Sequence, residues 1–245
     1  MMRKYNKKYP LRVVTLCSGY DSQCMALDRM TKYDTSFAYD LVAWSEIDKN
    51  AIKAHNLVYP QWAERNLGDM TKIDWTKVAD FDLLTYSTPC QDFSNAGLQR
   101  GGAEGSGTRS SILWFTRNAI LEKKPKFLLL ENVKALVSKK FKPLFMKWCL
   151  ELESYGYVNY WKVLNAKDYG VPQNRERVFL MSIRKDVVEN MEYSFIFPKS
   201  FPLEKRIKDI VEPEVDDSFY LSEKALSYFS KVSDDPSHNH NFVPK

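Results

Sequence analysis

Glycine and proline are scarce in this chain of 245 residues, at 9 and 11, and cysteine is scarcer still at 4. So few glycines exclude collagen-like and elastic low-complexity chains, and 44% hydrophobic residues exclude a disordered one. No apolar run approaches the roughly 20 residues that a spanning helix needs. The purest stretch beside a candidate strand is Phe127-Leu128-Leu129-Leu130. Cys17, Cys24, Cys90 and Cys149 are scattered and form no CxxC pair, so neither a disulfide framework nor a zinc site is indicated. His55 falls in a helix-period stretch as a surface or packing residue. His238 and His240 lie in a ragged end, without partners at metal-binding spacing. The expectation is a reduced, cytoplasmic protein without metal or membrane span.

What is present suffices for one globular domain, or one large and one small. Met1-Met2-Arg3-Lys4 has the charge of an export signal, but Arg12 breaks the apolar run that follows, which reads as a buried first strand. Charge is uneven. Residues 1–185 carry 29 Lys and Arg against 19 Asp and Glu, net +10, whereas residues 186–245 carry 7 against 12, net −5. A basic body fits a polyanionic partner, or merely an uneven soluble surface, and charge alone leaves both open.

Short apolar runs alternate with helix-period stretches. Strands are predicted at Arg12–Cys17, Asp40–Ser45, Phe81–Tyr86, Lys126–Leu130, Asn159–Leu164 and Arg177–Ile183, and helices at Gln23–Met30, Lys49–Leu57, Ser111–Leu121 and Phe145–Ser154. This alternation predicts an α/β fold with a mainly parallel, doubly wound sheet. Ligands of such sheets sit beyond the carboxyl ends of the strands, so the loops there are the candidates for chemistry. The loop from Ser87 to Ser110 holds five of the nine glycines and is too long for a plain connection.

Six stretches carry suggestive residues. Ser18-Gly19-Tyr20-Asp21-Ser22 is a tight turn opening a helix, either a ligand approach or a simple connection. Glu46-Ile47-Asp48 follows the second strand, where nucleotide-binding folds hold ribose hydroxyls; Asp48 serves equally as a helix cap. Gly68-Asp69-Met70 offers an acceptor and an apolar wall, or is a surface turn. Thr88-Pro89-Cys90-Gln91 sets a thiol at a strand's carboxyl end, fit for attack or for packing as a small hydrophobe. Glu131 ends an apolar strand, where it can exchange a proton or meet a helix dipole. In Gln173-Asn174-Arg175-Glu176-Arg177, strand alternation puts Gln173, Arg175 and Arg177 on one face as a fork of donors.

Taken in order, these residues resemble the cytosine-C5 DNA methyltransferases. Ser87 to Gly97 is similar to that family's catalytic Pro-Cys-Gln tract, Leu130-Glu131-Asn132-Val133 to its Glu-Asn-Val motif, and Tyr169 to Phe179 to its Gln-x-Arg-x-Arg motif. The resemblance runs roughly from Leu11 to Ser222. It implies a Rossmann-like fold, S-adenosylmethionine as methyl donor with S-adenosylhomocysteine as product, no metal, and double-stranded DNA as substrate. It further implies that Cys90 adds to C6 of a flipped cytosine, that Glu131 holds its N3 edge, and that Arg177 contacts its carbonyl, with Arg175 and Gln173 in support. Around the cofactor it implies Ser18, Gly19 and Tyr20 near the methionine part, Glu46 on the ribose, Ile47 and Met70 on adenine, Asp69 on its amine, and Pro89 beside the methyl group. The loop Ser94–Ser110 would close over the base.

Two departures stand out. The family's usual Phe-x-Gly-x-Gly reads Cys17-Ser18-Gly19-Tyr20-Asp21 here, which replaces its second glycine with Asp21. No late helix of the kind that closes the family's cofactor pocket is evident. The expected organisation is therefore a basic tail (1–10), a catalytic and cofactor-binding domain (11–185), and a lead-in to a truncated or absent target-recognition region (186–245). A second chain would then supply target recognition, as in a split restriction-modification enzyme. The alternatives are cytosine-C5 methylation of transfer RNA and a non-catalytic cofactor-binding subunit.

Overall fold

The computed structural model describes residues 5–87, 89, 104–107 and 109–227. Six strands form one sheet: β1 (Leu11–Leu16), β2 (Tyr39–Ser45), β3 (Leu83–Tyr86), β4 (Phe127–Val133), β5 (Tyr157–Asn165) and β6 (Glu176–Arg184), in the order β2-β1-β3-β4-β6-β5. The first four pair in parallel, and β6 runs antiparallel to both β4 and β5. The helices are α1 (Ser22–Tyr33), α2 (Lys49–Val58), α3 (Thr116–Lys123), α4 (Lys142–Ser154) and the short α5 (Lys185–Glu189). The predicted α/β class and mainly parallel sheet are therefore what the chain forms.

Period-two patterning explains the layers. Val13, Leu41 and Leu83 face Cys24 and Leu27 of α1, together with Trp44 and Tyr59. Val14, Leu16, Leu84, Leu128 and Leu130 face Ala119 and Ile120 of α3 and Phe145, Trp148 and Leu152 of α4. Trp148, wholly buried, donates from Nε1 to the Tyr86 hydroxyl at 3.1 Å and meets Trp114 edge-on, with centroids 5.5 Å apart. The helices start on side-chain caps where the sequence allows: Asp48 Oδ1 accepts from Asn50 N and Ala51 N, both at 2.9 Å, so its capping role is real.

Three expectations change. Ser111–Leu121 is no single helix: a 3-10 segment, Arg109–Phe115, precedes α3, and the junction at Phe115 has no side-chain cap. β4 runs on through Glu131 and Asn132 to Val133, because β6 pairs with it over that whole length. β6 begins only at Glu176. Gln173 and Arg175 therefore lie in the preceding turn, where Arg175 N donates to Gln173 O at 3.0 Å, and strand alternation does not align them with Arg177.

By compactness the chain divides into Met1–Pro202 and Leu203–Lys245. Residues 186–202 belong with the first unit: Phe201 N donates to Asp168 O (3.0 Å), the Tyr169 hydroxyl to Pro198 O (3.1 Å), and Phe195 packs on Tyr160. Gly170 sits at φ 80°, and a Cβ there would lie 2.9 Å from the Phe201 ring. The second unit, by itself, has 3-10 turns at Ile207–Asp209 and Asp217–Phe219, the latter capped by Asp216.

Candidate active site

The carboxyl ends of β1 to β4 emerge along one edge of the sheet, as do the residues that enter β6, because that strand runs the other way. After β1 the chain turns at Gly19 (φ 59°), where a Cβ would meet nothing within 4 Å, leaving open space beside the backbone. Gly19 N donates to Glu46 Oε2 at 2.9 Å, while Glu46 Oε1 accepts from Ile47 N (2.8 Å) and Asp48 N (2.9 Å). Three backbone donors thus fix a carboxylate at the end of β2. Beside it Ile47 is 70% exposed, although it lines a cavity of about 770 Å³ with Cys17, Glu46, Asp69, Met70 and Pro89. An exposed aliphatic side chain next to an anchored carboxylate suits a flat apolar ring joined to a diol.

Asp69 Oδ1 accepts from Thr71 N (3.0 Å) and Thr71 Oγ1 (2.8 Å), which holds its carboxyl below the ordinary range, while Oδ2 faces the largely exposed Lys72 Nζ at 3.8 Å. Cys17 lies 3.5 Å from Met70 Sδ. Burial, then the Glu46 and Asp69 carboxylates, push its thiol up to about 12, so it is a wall and not a nucleophile.

A second cavity, of about 1000 Å³, is lined by Ser18, Tyr20, Leu129, Glu131, Gln173 and Arg175 among others. In β4 the even positions Leu128, Leu130 and Asn132 are buried, so Phe127, Leu129 and Glu131 face the opposite side. The antiparallel register sets Phe179 across from Glu131 and Arg177 across from Val133. Arg177 Nε therefore reaches Glu131 Oε1 at 3.1 Å, with the two side chains 22% and 27% exposed. Glu131 is an ion-paired residue inside a strand, neither at a strand's end nor at a helix start. Lys134 and Glu176 form a further pair at 2.9 Å.

The two cavities share Cys17 and Ser87. Those residues follow the paired positions Leu16 and Tyr86, and Ser87 N donates to Leu16 O at 3.3 Å. Glu46, Ile47, Asp69, Met70 and Pro89 thus stand on one side of this threshold, and Ser18, Tyr20, Glu131, Gln173 and Arg175 on the other. Gly19 joins them through Glu46. Cys90, one residue after Pro89, lies outside the described residues, as do Thr88, Thr108 and residues 91–103 of the long loop. Sequence reasoning gave Cys17 and Ser87 no role as a shared wall, because that role depends on β1 lying next to β3.

Among curated proteins, the type II methyltransferase M2.ScrFI of Lactococcus lactis subsp. cremoris is 49% identical over 172 residues, which are 70% of this chain and 45% of that protein. The orphan methyltransferase M.SPRI of Bacillus phage SPR is 33% identical over 249 residues, covering 91% and 55%. The chain spans about half the length of the curated relatives it matches. Among solved structures, the S. pombe Dnmt2 methyltransferase superposes with a TM-score of 0.63 at 21% identity, covering 90% of this chain and 66% of that one. The Entamoeba histolytica methyltransferase EhMeth gives 0.67 at 19%, covering 87% and 63%; at such identities the likeness is one of fold. The C-5 cytosine-specific DNA methylase family matches residues 11–244, including the stretch after 185 in which no late motif was evident, and the chain belongs to that family.

Proposed function

We propose that this chain transfers a methyl group from S-adenosylmethionine to C5 of a cytosine in double-stranded DNA, through a covalent bond between Cys90 and C6. The observation that carries this reading is the threshold at Cys17 and Ser87, with carboxylate acceptors and an apolar wall suited to a nucleoside on one side and the Glu131–Arg177 pair on the other. In this reading residues 11–185 carry the chemistry, and residues 186–245 lead into the part that reads the target.

When bound, S-adenosylmethionine supplies an electrophilic methyl group on a sulfonium. Glu46 would accept from the ribose hydroxyls, Ile47 and Met70 would cover the adenine, and Asp69 would accept from its amine. Ser18, Gly19 and Tyr20 would hold the methionine part, and Pro89 would line the approach of the methyl group. The cytosine is taken out of the stack, because C5 and C6 are out of reach inside a duplex. The Cys90 thiolate adds to C6, and the displaced electron pair makes C5 nucleophilic. Glu131, aimed by Arg177, holds the N3 edge and the amino group while charge develops on the ring. Arg177 contacts the ring carbonyl, and Gln173 and Arg175 support it. Methyl transfer would leave S-adenosylhomocysteine; a water would then take the C5 proton, and the electron pair of that C–H bond would re-form the C5–C6 double bond as the C6–S bond breaks, which returns the thiolate and the aromatic ring.

The test is transfer of labelled methyl groups to mixed-sequence duplex DNA and to transfer RNA, with Cys90→Ala as control. Label in DNA that requires Cys90, and a denaturation-resistant adduct with DNA containing 5-fluorocytosine, are expected. Equal transfer by Cys90→Ala would sink the mechanism, and label only in RNA would change the substrate. No transfer despite cofactor binding would assign target reading to a second chain.

A further inference from the structure

Asp21 stands where the family's first motif carries its second glycine, and the backbone explains why a glycine suits that position: φ is 67° and ψ 58°, in the left-handed region. Aspartate is among the few other residues that adopt this conformation. Here its side chain does more than tolerate the turn. Asp21 is 0% exposed, yet its carboxylate is surrounded by partners from three elements. Oδ1 accepts from Cys24 N of α1 at 3.3 Å, Oδ2 accepts from Thr15 Oγ1 of β1 at 2.8 Å, and Nε2 of His55, from α2, lies 3.7 Å from Oδ2.

His55 is also 0% exposed, and it is the one histidine among the described residues. Its ring stacks on the Trp44 indole of β2, with centroids 3.7 Å apart and planes at 18°, and Nδ1 lies 3.3 Å from Asn56 Oδ1. Nε2 is buried with no hydrogen-bond partner and points at the Asp21 carboxylate. A buried imidazole nitrogen left so is costly, and a small approach of α2 to the turn would satisfy it. The same turn carries the cofactor contacts: Asp21 N donates to Ser18 O at 2.8 Å, and Gly19 N holds Glu46 at 2.9 Å.

We infer that Asp21 and His55 are a coupled pair of positioning residues that sets the cofactor turn, replacing the freedom of a glycine with a buried anchor from α2; the inference rests on the cofactor reading above. Neither residue lines either cavity, so neither touches the ligand. Binding of S-adenosylmethionine would tighten the Nε2–Oδ2 approach from 3.7 Å to a hydrogen bond.

The experiment is a double-mutant cycle on the whole chain, read by calorimetric binding of S-adenosylhomocysteine and by ring ¹⁵N NMR of His55. Asp21→Asn keeps an acceptor for Cys24 N, reverses the bond with Thr15 Oγ1 so that the amide donates, and removes the charge; His55→Phe keeps an aromatic ring on Trp44 and removes Nε2. Each single variant should weaken binding about 10-fold, and the double variant no further, since one interaction is lost in all three. Turnover at saturating cofactor should stay within about 3-fold of the parent. The His55 ring signal should shift on ligand binding in the parent and not in Asp21→Asn. Should His55→Phe fail to fold, His55→Gln takes its place in the cycle. Additive losses, unchanged binding by Asp21→Asn, or an unmoved ring signal would overturn the pair while leaving the cofactor reading intact. A parent chain that binds no S-adenosylhomocysteine would overturn both.

Discussion

Arg177→Ala should separate stability from chemistry. Arg177 Nε lies 3.1 Å from Glu131 Oε1, and both side chains keep contact with water at 22% and 27% exposure. At an effective dielectric of about 20 the gross attraction at such a distance is about 5 kcal/mol, but desolvation and side-chain entropy return most of it. A net loss of about 1 kcal/mol follows, which in a domain of this size lowers Tm by about 2–4 °C. The cost to turnover is different in kind. In the function proposed above, a carboxylate that loses its anchor would no longer meet the base in one orientation, and a donor at the ring carbonyl would go with it. Removing one such preorganised group costs about 10²–10³ in kcat. Thermal unfolding beside single-turnover methyl transfer reads both quantities on one preparation. Arg177→Lys keeps the charge without the planar fork and should fall between parent and alanine variant. Turnover within 3-fold of the parent, or a Tm drop above 10 °C, would refute the reasoning; the second result would make the pair a structural strut.

Four more outcomes can be checked. Glu46→Ala removes the acceptor of three backbone N–H groups and should weaken S-adenosylhomocysteine binding about 10–100-fold by calorimetry, with chemistry at saturation little changed. Trp148→Phe leaves the buried Tyr86 hydroxyl without its donor, costing about 2–3 kcal/mol and about 5–10 °C in Tm; adding Tyr86→Phe should recover part of that loss. With its thiol pushed up to about 12, Cys17 is almost wholly protonated at pH 7.5, and raising the pH toward 12 increases the thiolate fraction. Iodoacetamide at pH 7.5 followed by peptide mapping should therefore spare Cys17 and label Cys90, and comparable rates at the two would contradict this environment. Gly170→Ala meets both a φ of 80° and the Phe201 ring at 2.9 Å, so denaturant unfolding should show a loss of about 1–2 kcal/mol, only partly relieved by Phe201→Ala.

The layered order of the chain was legible because burial imposes it. Leu128-Leu129-Leu130 flanked by charge can only be an inner strand, and Asp48 before an apolar period reads as a cap. What failed did so for want of tertiary information. Strand alternation grouped Gln173, Arg175 and Arg177, yet β6 starts at Glu176, where pairing with Asn165 and, one residue on, with Val133 begins. His55 has one appearance in sequence whether it is solvated or sealed under Trp44, since stacking depends on where α2 falls back on β2. The joint wall of Cys17 and Ser87 was equally hidden, because those residues lie far apart in sequence and meet only through the sheet order. Residues 186–202 carry loop composition, and only their contacts to Asp168, Tyr169 and Tyr160 show where they belong.

The hairpin of β5 and β6 gives the fold its aiming device. Val178 and Leu180 are fully buried against the α3–α4 layer, and Arg177 and Phe179 alternate with them on the other side. A slip of one residue against β4 would drive the guanidinium into that layer and turn Val178 toward the cavity. Grease therefore polices the alignment of charge: substitutions at Val178 or Leu180 that loosen the seam would blur where Arg177 points long before they unfold the protein. Drift in enzymatic fidelity could begin at residues that never meet a substrate.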